Sequence, residues 1–317
     1  MARRTAPRDI ASYGDLFDPK EAAEPILGRA VRDSLTEWLT EIWAADDLVK
    51  VGLQPRRRAM FDGVPGVGKT TLAHHLAARL GLPMLAVRPD KLISKWVGQS
   101  SEQIGALFDA AAAADPPILL FLDEFDAYAR HRRRSEQGAD DERNMIVDTF
   151  LQRVEQHSGF LIAATNFADH VDQAMWRRFD IHITLELPGL AERRRIIQRY
   201  LMPYGLPADA LESLAIALET ASPALIRSFC EGLKRQIILG PLLKLDMSRG
   251  AVIDRVVSTV HPHKDVGKPR LWSHGSQDQS VRAMPWPLPA AEEVKAEPPV
   301  CRPDVAVVSL NDRRNKP

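Results

Sequence analysis

The sequence predicts an α/β fold, a parallel five-stranded sheet flanked by helices, followed by a small all-helical domain, and three observations predict it. First, short apolar runs of strand length at 59–61, 84–87, 118–122, 160–164 and 181–185 alternate with helical segments at 70–80, 101–114, 142–155 and 171–178. Strands that alternate with helices build parallel sheets covered on both faces. Second, the strand signal stops after Leu187-Pro188-Gly189, and 190–201, 208–218, 223–239 and 248–260 all have helical patterning. The third of these opens with Ser222 as cap and Pro223 at the first position, a helix-start signal. Third, the composition changes beyond His261, with Pro262, Pro269, Pro285, Pro287, Pro289, Pro298, Pro299 and Pro303 set among Ser, Gln and charged residues. Such a stretch reads as disordered.

The expected organisation is therefore a flexible N-terminal arm over 1–24, an α/β domain over 25–188, a helical domain over 189–260 and a Pro-rich tail over 261–317. The arm is polar and broken by Pro7, Pro19 and Pro25. Val31, Leu35, Trp38, Leu39, Ile42 and Trp43 recur at helical spacing, which predicts an amphipathic helix over 31–48.

Composition narrows the function classes. Lys+Arg 42 balances Asp+Glu 42 in 317 residues, so no bulk positive charge favours nucleic acid through counterion release. No apolar run approaches the roughly 18 residues of a membrane span, and none follows the basic N-terminus as a secretory signal requires. A soluble, cytoplasmic protein is expected. Cys230 and Cys301 match no metal or redox spacing and fit a reduced compartment.

Gly63-Val64-Pro65-Gly66-Val67-Gly68-Lys69-Thr70 fits G-x-x-x-x-G-K-[ST], directly after one predicted strand and opening a predicted helix. Glycines let backbone N–H groups curl around phosphate oxygens, and the helix N-terminus adds the positive end of its dipole. Lys69 is placed to reach the outer phosphates and the Thr70 hydroxyl to ligate Mg²⁺. A glycine turn before a helix could arise by chance; the flanking strand and helix argue against it.

The apolar strand 118–122 ends in Asp123 and Glu124. A buried strand has no reason to end in adjacent carboxylates unless they face something polar or cationic. In a phosphate-loop fold Asp123 holds the Mg²⁺ shell and Glu124 polarises the attacking water. The bland alternative is a helix cap at the strand exit. The strand 160–164 repeats the pattern and ends in Thr165-Asn166, where an amide could hold the lytic water or sense the γ-phosphate; a turn-initiating Asn is the competing reading.

In combination these residues resemble the AAA family of ATPases, in the group containing katanin, spastin and the proteasomal ATPases. The resemblance runs from Ile26 to Arg235. It includes Ser94-Lys95-Trp96-Val97-Gly98-Gln99, which resembles the family's first pore loop, then Phe121-Leu122-Asp123-Glu124-Phe125-Asp126-Ala127 and Ala163-Ala164-Thr165-Asn166. It closes with Asp172-Gln173-Ala174-Met175-Trp176-Arg177-Arg178-Phe179-Asp180, which resembles the arginine-finger segment.

The resemblance implies a P-loop ATPase (AAA large domain) with a small helical lid, and assigns residues by position. Gly63, Val64, Pro65, Gly66, Val67, Gly68, Lys69, Thr70 and Thr71 would bind ATP, with Thr70 and Asp123 on Mg²⁺. Glu124 and Asn166 would be catalytic, together with Arg177 and Arg178 as fingers reaching the neighbouring subunit's nucleotide. Lys95, Trp96 and Val97 would line a central pore and grip an unfolded polypeptide. The implied partners are further copies of the chain, in a hexamer, and a protein substrate or effector. The sequence departs from the family at Val64 and Val67, where Pro and Thr are usual. It also departs at Ala221-Ser222-Pro223-Ala224-Leu225-Ile226, which lacks the Gly and Asp of a similar lid stretch.

Two other function classes are open to the sequence. Arg56-Arg57-Arg58 and His131-Arg132-Arg133-Arg134 could touch phosphates in a nucleic-acid motor or loader, although acids at 136 and 140–142 make the second a mixed-charge face. Alternatively, Pro285-Trp286-Pro287-Leu288-Pro289 could be an extended ligand through which a nucleotide-gated scaffold docks an effector.

Overall fold

The computed structural model describes residues 10–92, 99–128 and 138–294. The strands are β1 (Gly14–Phe17), β2 (Arg58–Asp62), β3 (Met84–Val87), β4 (Leu119–Leu122), β5 (Phe160–Thr165) and β6 (Ile181–Thr184). They form one sheet in the order β1-β3-β4-β5-β2-β6. The five predicted strands are all parallel. β1 is a sixth, antiparallel to β3, with Gly14 opposite Val87 and Phe17 opposite Met84.

Between and beside the strands lie α1 (Arg29–Trp43), α2 (Ala45–Lys50), α3 (Lys69–Leu80), α4 (Pro89–Leu92), α5 (Gln99–Ala112), α6 (Gly138–Gln156) and α7 (Gln173–Trp176). A strand buried on both faces sends alternate side chains to opposite cores. In β2, Ala59 and Phe61 join Trp38 of α1 and Leu72 and Leu76 of α3 on one side of the sheet, while Met60 joins the opposite core. That second core gathers Leu120, Leu161, Phe125 and Met175 with Ile104 and Phe108 of α5 and Phe150 of α6. The parallel strands share one direction, so Asp62, Leu122 and Thr165 end neighbouring strands at a common edge. Ligands of open α/β sheets bind at such carboxyl ends.

The helical unit comprises α8 (Leu190–Leu201), α9 (Ala208–Ala217), α10 (Pro223–Leu242), α11 (Arg249–Thr259), α12 (Arg270–His274) and α13 (Gln279–Ala283). Ser222 caps α10 as expected, its hydroxyl accepting the Leu225 N–H at 3.3 Å.

Three expectations need correction. The N-terminal stretch is not a loose arm from residue 10 on: β1 adds an edge strand, Arg88 pairs with Asp15 at 2.9 Å, and the His74 ring bonds the Asp18 carbonyl at 2.8 Å. The long amphipathic helix is broken at Ala44 into α1 and α2. The tail reading fails over 261–294, where Leu271, Trp272, Val281, Met284 and Leu288 are buried with Phe229 and Val256 in the core of the helical unit. The Trp272 indole donates to the Val260 carbonyl at 2.6 Å. The stretch read as a docking ligand is seated on this same unit, Leu288 buried and the Trp286 indole donating to the Met247 carbonyl at 2.7 Å.

Candidate functional site

The loop from Gly63 to Gly68 joins β2 to α3 at the carboxyl edge of the sheet. Gly63, Gly66 and Gly68 all take positive φ, at 146°, 80° and 104°. Two of these are required twice over. A Cβ on Gly63 would overlap the Leu185 carbonyl, and one on Gly66 would press on Ala224 and Ser222 at 3.0 Å. Gly66 is also where the helical unit meets the loop, since the Ala224 N–H donates to its carbonyl at 3.1 Å. Although this stretch lacks the Gly and Asp of the similar lid stretch, Ser222 and Ala224 still bring the start of α10 onto the phosphate loop. Pro65 and Val64 are half-buried, Val67 packs into the core under α3, and Thr71 is exposed.

Lys69, the first residue of α3, is 7% exposed. Its Nζ donates to the Gly63 carbonyl (2.6 Å), the Val64 carbonyl (3.2 Å) and Asn166 Oδ1 (2.6 Å), which uses all three ammonium protons. Burial pulls its pKa below the ordinary lysine value, opposed by the carboxylates of Asp123, Asp62 and Asp126. Thr70 Oγ1 donates to Asp123 Oδ2 at 2.9 Å, and the other oxygen of Asp123 accepts the Glu124 N–H at 2.9 Å. Glu124 is exposed and left-handed (φ 49°, ψ 44°), a conformation that costs a non-glycine residue on the order of 1–3 kcal/mol and persists only where the surrounding structure enforces it, as at many functional sites. Six predicted residues from three stretches of the chain are therefore brought together: Gly63, Val64, Lys69, Thr70, Asp123 and Asn166.

The donor set fits a magnesium nucleotide. A carboxylate and a hydroxyl in contact are the hard oxygen ligands Mg²⁺ prefers. A glycine-rich turn leading into a helix N-terminus, with a buried ammonium at its mouth, suits phosphate oxygens.

The arginine pair divides. Asp172 caps α7, its carboxylate accepting the Ala174 N–H at 2.8 Å, and Trp176 stacks on His182 of β6 at 4.3 Å, which fixes the turn that carries both arginines. Arg178 is held by Glu155 at 2.6 Å. Arg177 is exposed and its side chain forms no bond among the described residues. Lys95, Trp96 and Val97 lie outside the described residues. Arg227 bonds Glu231 at 2.7 Å and lies over the Tyr200 ring.

The arginines at 56–58 are engaged within the chain. Arg56 bonds Glu41 at 2.7 Å, Arg57 donates to the Ser158 carbonyl at 2.7 Å, and Arg58 pairs with Asp180 at 3.2 Å. These three make no free basic patch. His131, Arg132, Arg133 and Arg134 lie outside the described residues.

Sequence reasoning missed Asp62. Its carboxylate accepts the Thr184 hydroxyl at 3.1 Å and its carbonyl the Leu185 N–H at 2.7 Å, tying the loop's root to β6. Burial raises its pKa, against the pull of the Thr184 hydroxyl, His182 and Lys69. A polar residue closing an otherwise apolar strand was the only available signal.

Comparison with known proteins agrees with this geometry. Residues 59–187 match the model of the family described as "ATPase family associated with various cellular activities (AAA)". The chain is 35% identical over 236 residues to an uncharacterized AAA family ATPase of Sinorhizobium fredii, covering 73% of this chain and 70% of that one. It is 32% identical to the ATP-dependent zinc metalloprotease FtsH of Cutibacterium acnes over 66% of this chain, and 33% identical to the proteasome-activating nucleotidase of Methanopyrus kandleri over 57%. It spans only 30% and 43% of the lengths of those two. In fold it is similar to the crystal structure of the FIGL-1 AAA domain, at 21% identity and a TM-score of 0.62, covering 79% of this chain and 87% of that one.

Proposed function

The chain belongs to the AAA family of ATPases, and from that premise we propose that it works as a hexameric ring that remodels or threads protein substrates. The observation that carries the ring is Arg177: an exposed guanidinium with no partner among the described residues, on a braced turn that enters β6 at the amino ends of the parallel strands, while the phosphate loop leaves their carboxyl ends. Guanidinium groups supplied across an interface neutralise the charge of a phosphoryl-transfer transition state.

In this reading the loop amides and Lys69 bind the phosphates, Lys69 exchanging its present acceptors for phosphate oxygens. Thr70 and Asp123 hold Mg²⁺, which when bound neutralises charge on the β- and γ-phosphates. Glu124 orients the attacking water and accepts its proton, and the Asn166 amide holds the γ-phosphate or that water. Arg177 completes the neighbouring subunit's site, with Arg178 beside it. The start of α10, bonded to Gly66, carries changes at the phosphates into the helical unit. Lys95, Trp96 and Val97 grip the polypeptide, an aromatic side chain holding many residue types without reading sequence. The named activities of the metalloprotease and proteasome-activating relatives support a protein substrate. Among the described residues no helix is long and apolar enough to cross a membrane, and we place the activity in the cytoplasm.

The test is steady-state ATPase rate against protein concentration for the wild type and Arg177→Ala. A shared site gives a specific activity that rises cooperatively with concentration and is lost in the variant. A rate per subunit independent of concentration and of Arg177 would replace the ring with a self-contained ATPase. Where the ring holds, Trp96→Ala should abolish remodelling and spare basal hydrolysis.

A further inference from the structure

Asn166 is held in place by two residues that the proposed mechanism leaves unused. Thr165, the last residue of β5, is fully buried. Its hydroxyl donates to Asp126 Oδ1 at 2.8 Å and accepts the Phe167 N–H at 3.0 Å. One side chain therefore spans the residue between, and Asn166 is pinned on both sides of its backbone. Asp126 is itself buried, at 8% exposure, on the short 3₁₀ turn Phe125–Ala127. That turn is closed by the Ala127 N–H donating to the carbonyl of Glu124 at 2.8 Å. A continuous chain of bonds runs from the backbone of Glu124, through Asp126 and Thr165, to the segment whose amide oxygen holds Lys69 at 2.6 Å.

Stability alone does not account for this pair. A carboxylate taken out of water is costly unless well bonded, and apolar residues of similar size usually serve a core as well or better. Here the carboxylate lies under the junction of two loops that carry candidate catalytic groups.

We propose that Asp126 and Thr165 are positioning residues that set the Asn166 amide in register with Glu124, so that the attacking water meets both at once. The inference rests on the reading that Asn166 takes part in hydrolysis. Thr165 makes no contact with nucleotide in this scheme. Its loss slows the chemical step through Asn166 and leaves ATP binding, which depends on the loop and Lys69, largely intact.

Single-turnover hydrolysis and ATP affinity, measured at protein concentrations that saturate assembly, test this with Thr165→Val, Thr165→Ala, Thr165→Ser, Asn166→Ala and the double variant Thr165→Val/Asn166→Ala. Thr165→Val should slow hydrolysis about tenfold, the order expected for one charge-assisted hydrogen bond, with ATP affinity within about twofold of wild type. Thr165→Ser, which keeps the hydroxyl, should run near the wild-type rate. Adding Thr165→Val to Asn166→Ala should cost nothing further, because residues acting as a unit are not additive. If Thr165→Val does not fold, Thr165→Ala against Thr165→Ser isolates the hydroxyl and carries the same comparison. Losses that add in the double variant, a serine variant as slow as valine or alanine, or affinity falling in step with rate overturn the positioning role. Asn166→Ala hydrolysing at the wild-type rate instead removes Asn166 from the mechanism, a distinct failure.

Discussion

The phosphate site and the arginine segment flank the same strand pair, β2 and β6, yet differ in how far the chain satisfies its own charges. At the phosphate site the principal cation and the candidate Mg²⁺-binding hydroxyl have partners within the chain: Lys69 has three acceptors and Thr70 has Asp123. In the arginine segment the backbone is as firmly braced, by the Asp172 cap and the Trp176–His182 stack, but the guanidinium of Arg177 is left to solvent. Equal rigidity with unequal satisfaction is what a site divided between subunits requires. In the proposed ring the chain would hold the nucleotide-binding half itself and offer Arg177 outward to its neighbour.

The comparison breaks most severely at Lys69. Lys69→Ala should reduce ATPase by at least about 10²-fold, since the phosphate-loop lysine is a principal phosphate contact. In the absence of nucleotide the same variant should melt close to wild type, the burial penalty on the ammonium offsetting the three hydrogen bonds that are lost. Burial disfavours the charged ammonium, so its folded pKa is depressed and the group costs stability at neutral pH. Thermal melts with and without Mg-ATP check this, and a large loss of stability without nucleotide would make Lys69 structural.

The arginine segment sharpens the contrast by splitting it. Fingers are worth about 10³-fold or more in rate, so Arg177→Ala should lose activity on that order while leaving melting unchanged. Arg178→Ala should lose less rate, because part of its role is the half-exposed pair with Glu155, worth no more than about 1 kcal/mol. Equal rate losses would mean that the Glu155 pair opens on assembly and both arginines reach the neighbour.

A further contrast lies between the helical unit and the stretch appended to it. Trp272→Ala should destabilise the protein by about 3–4 kcal/mol, the usual cost of emptying a core aromatic site, read by denaturant unfolding. A change under about 1 kcal/mol would return residues beyond 261 to the status of a loose tail.

The smallest effect belongs to Asp62. Its folded pKa is raised, so its contribution to stability is complete below the ordinary aspartate range and is lost as pH rises through the raised value. Asp62→Asn should therefore be slightly more stable than wild type at pH 7, with the advantage shrinking towards pH 4. An advantage that grows in acid would reverse the assignment.

Much of this architecture is legible in the sequence because it rests on local patterns. The five parallel strands are continuous apolar runs, and the phosphate loop is spelled by glycines whose backbone angles admit little else. What was illegible rests on long-range contacts. β1, Gly-Asp-Leu-Phe, is held to β3 by backbone pairing with Leu16 exposed, so no apolar alternation marks it. Trp272, Val281, Met284 and Leu288 are single apolar residues scattered among prolines, and only the packed helical unit gives them a common core. Glu124 and Asn166 are readable as strand-end polar residues, whereas the bonding of Thr165 to Asp126, 39 positions apart, is not.

The divided site is tested most directly by mixing two variants that are each inactive alone. Glu124→Gln keeps its arginines and Arg177→Ala keeps its own Glu124, so mixed assemblies contain interfaces where an intact nucleotide site meets an intact arginine. A shared site predicts that ATPase activity reappears on mixing and peaks at intermediate ratios. No activity at any ratio, in mixtures shown to co-assemble, would contradict it.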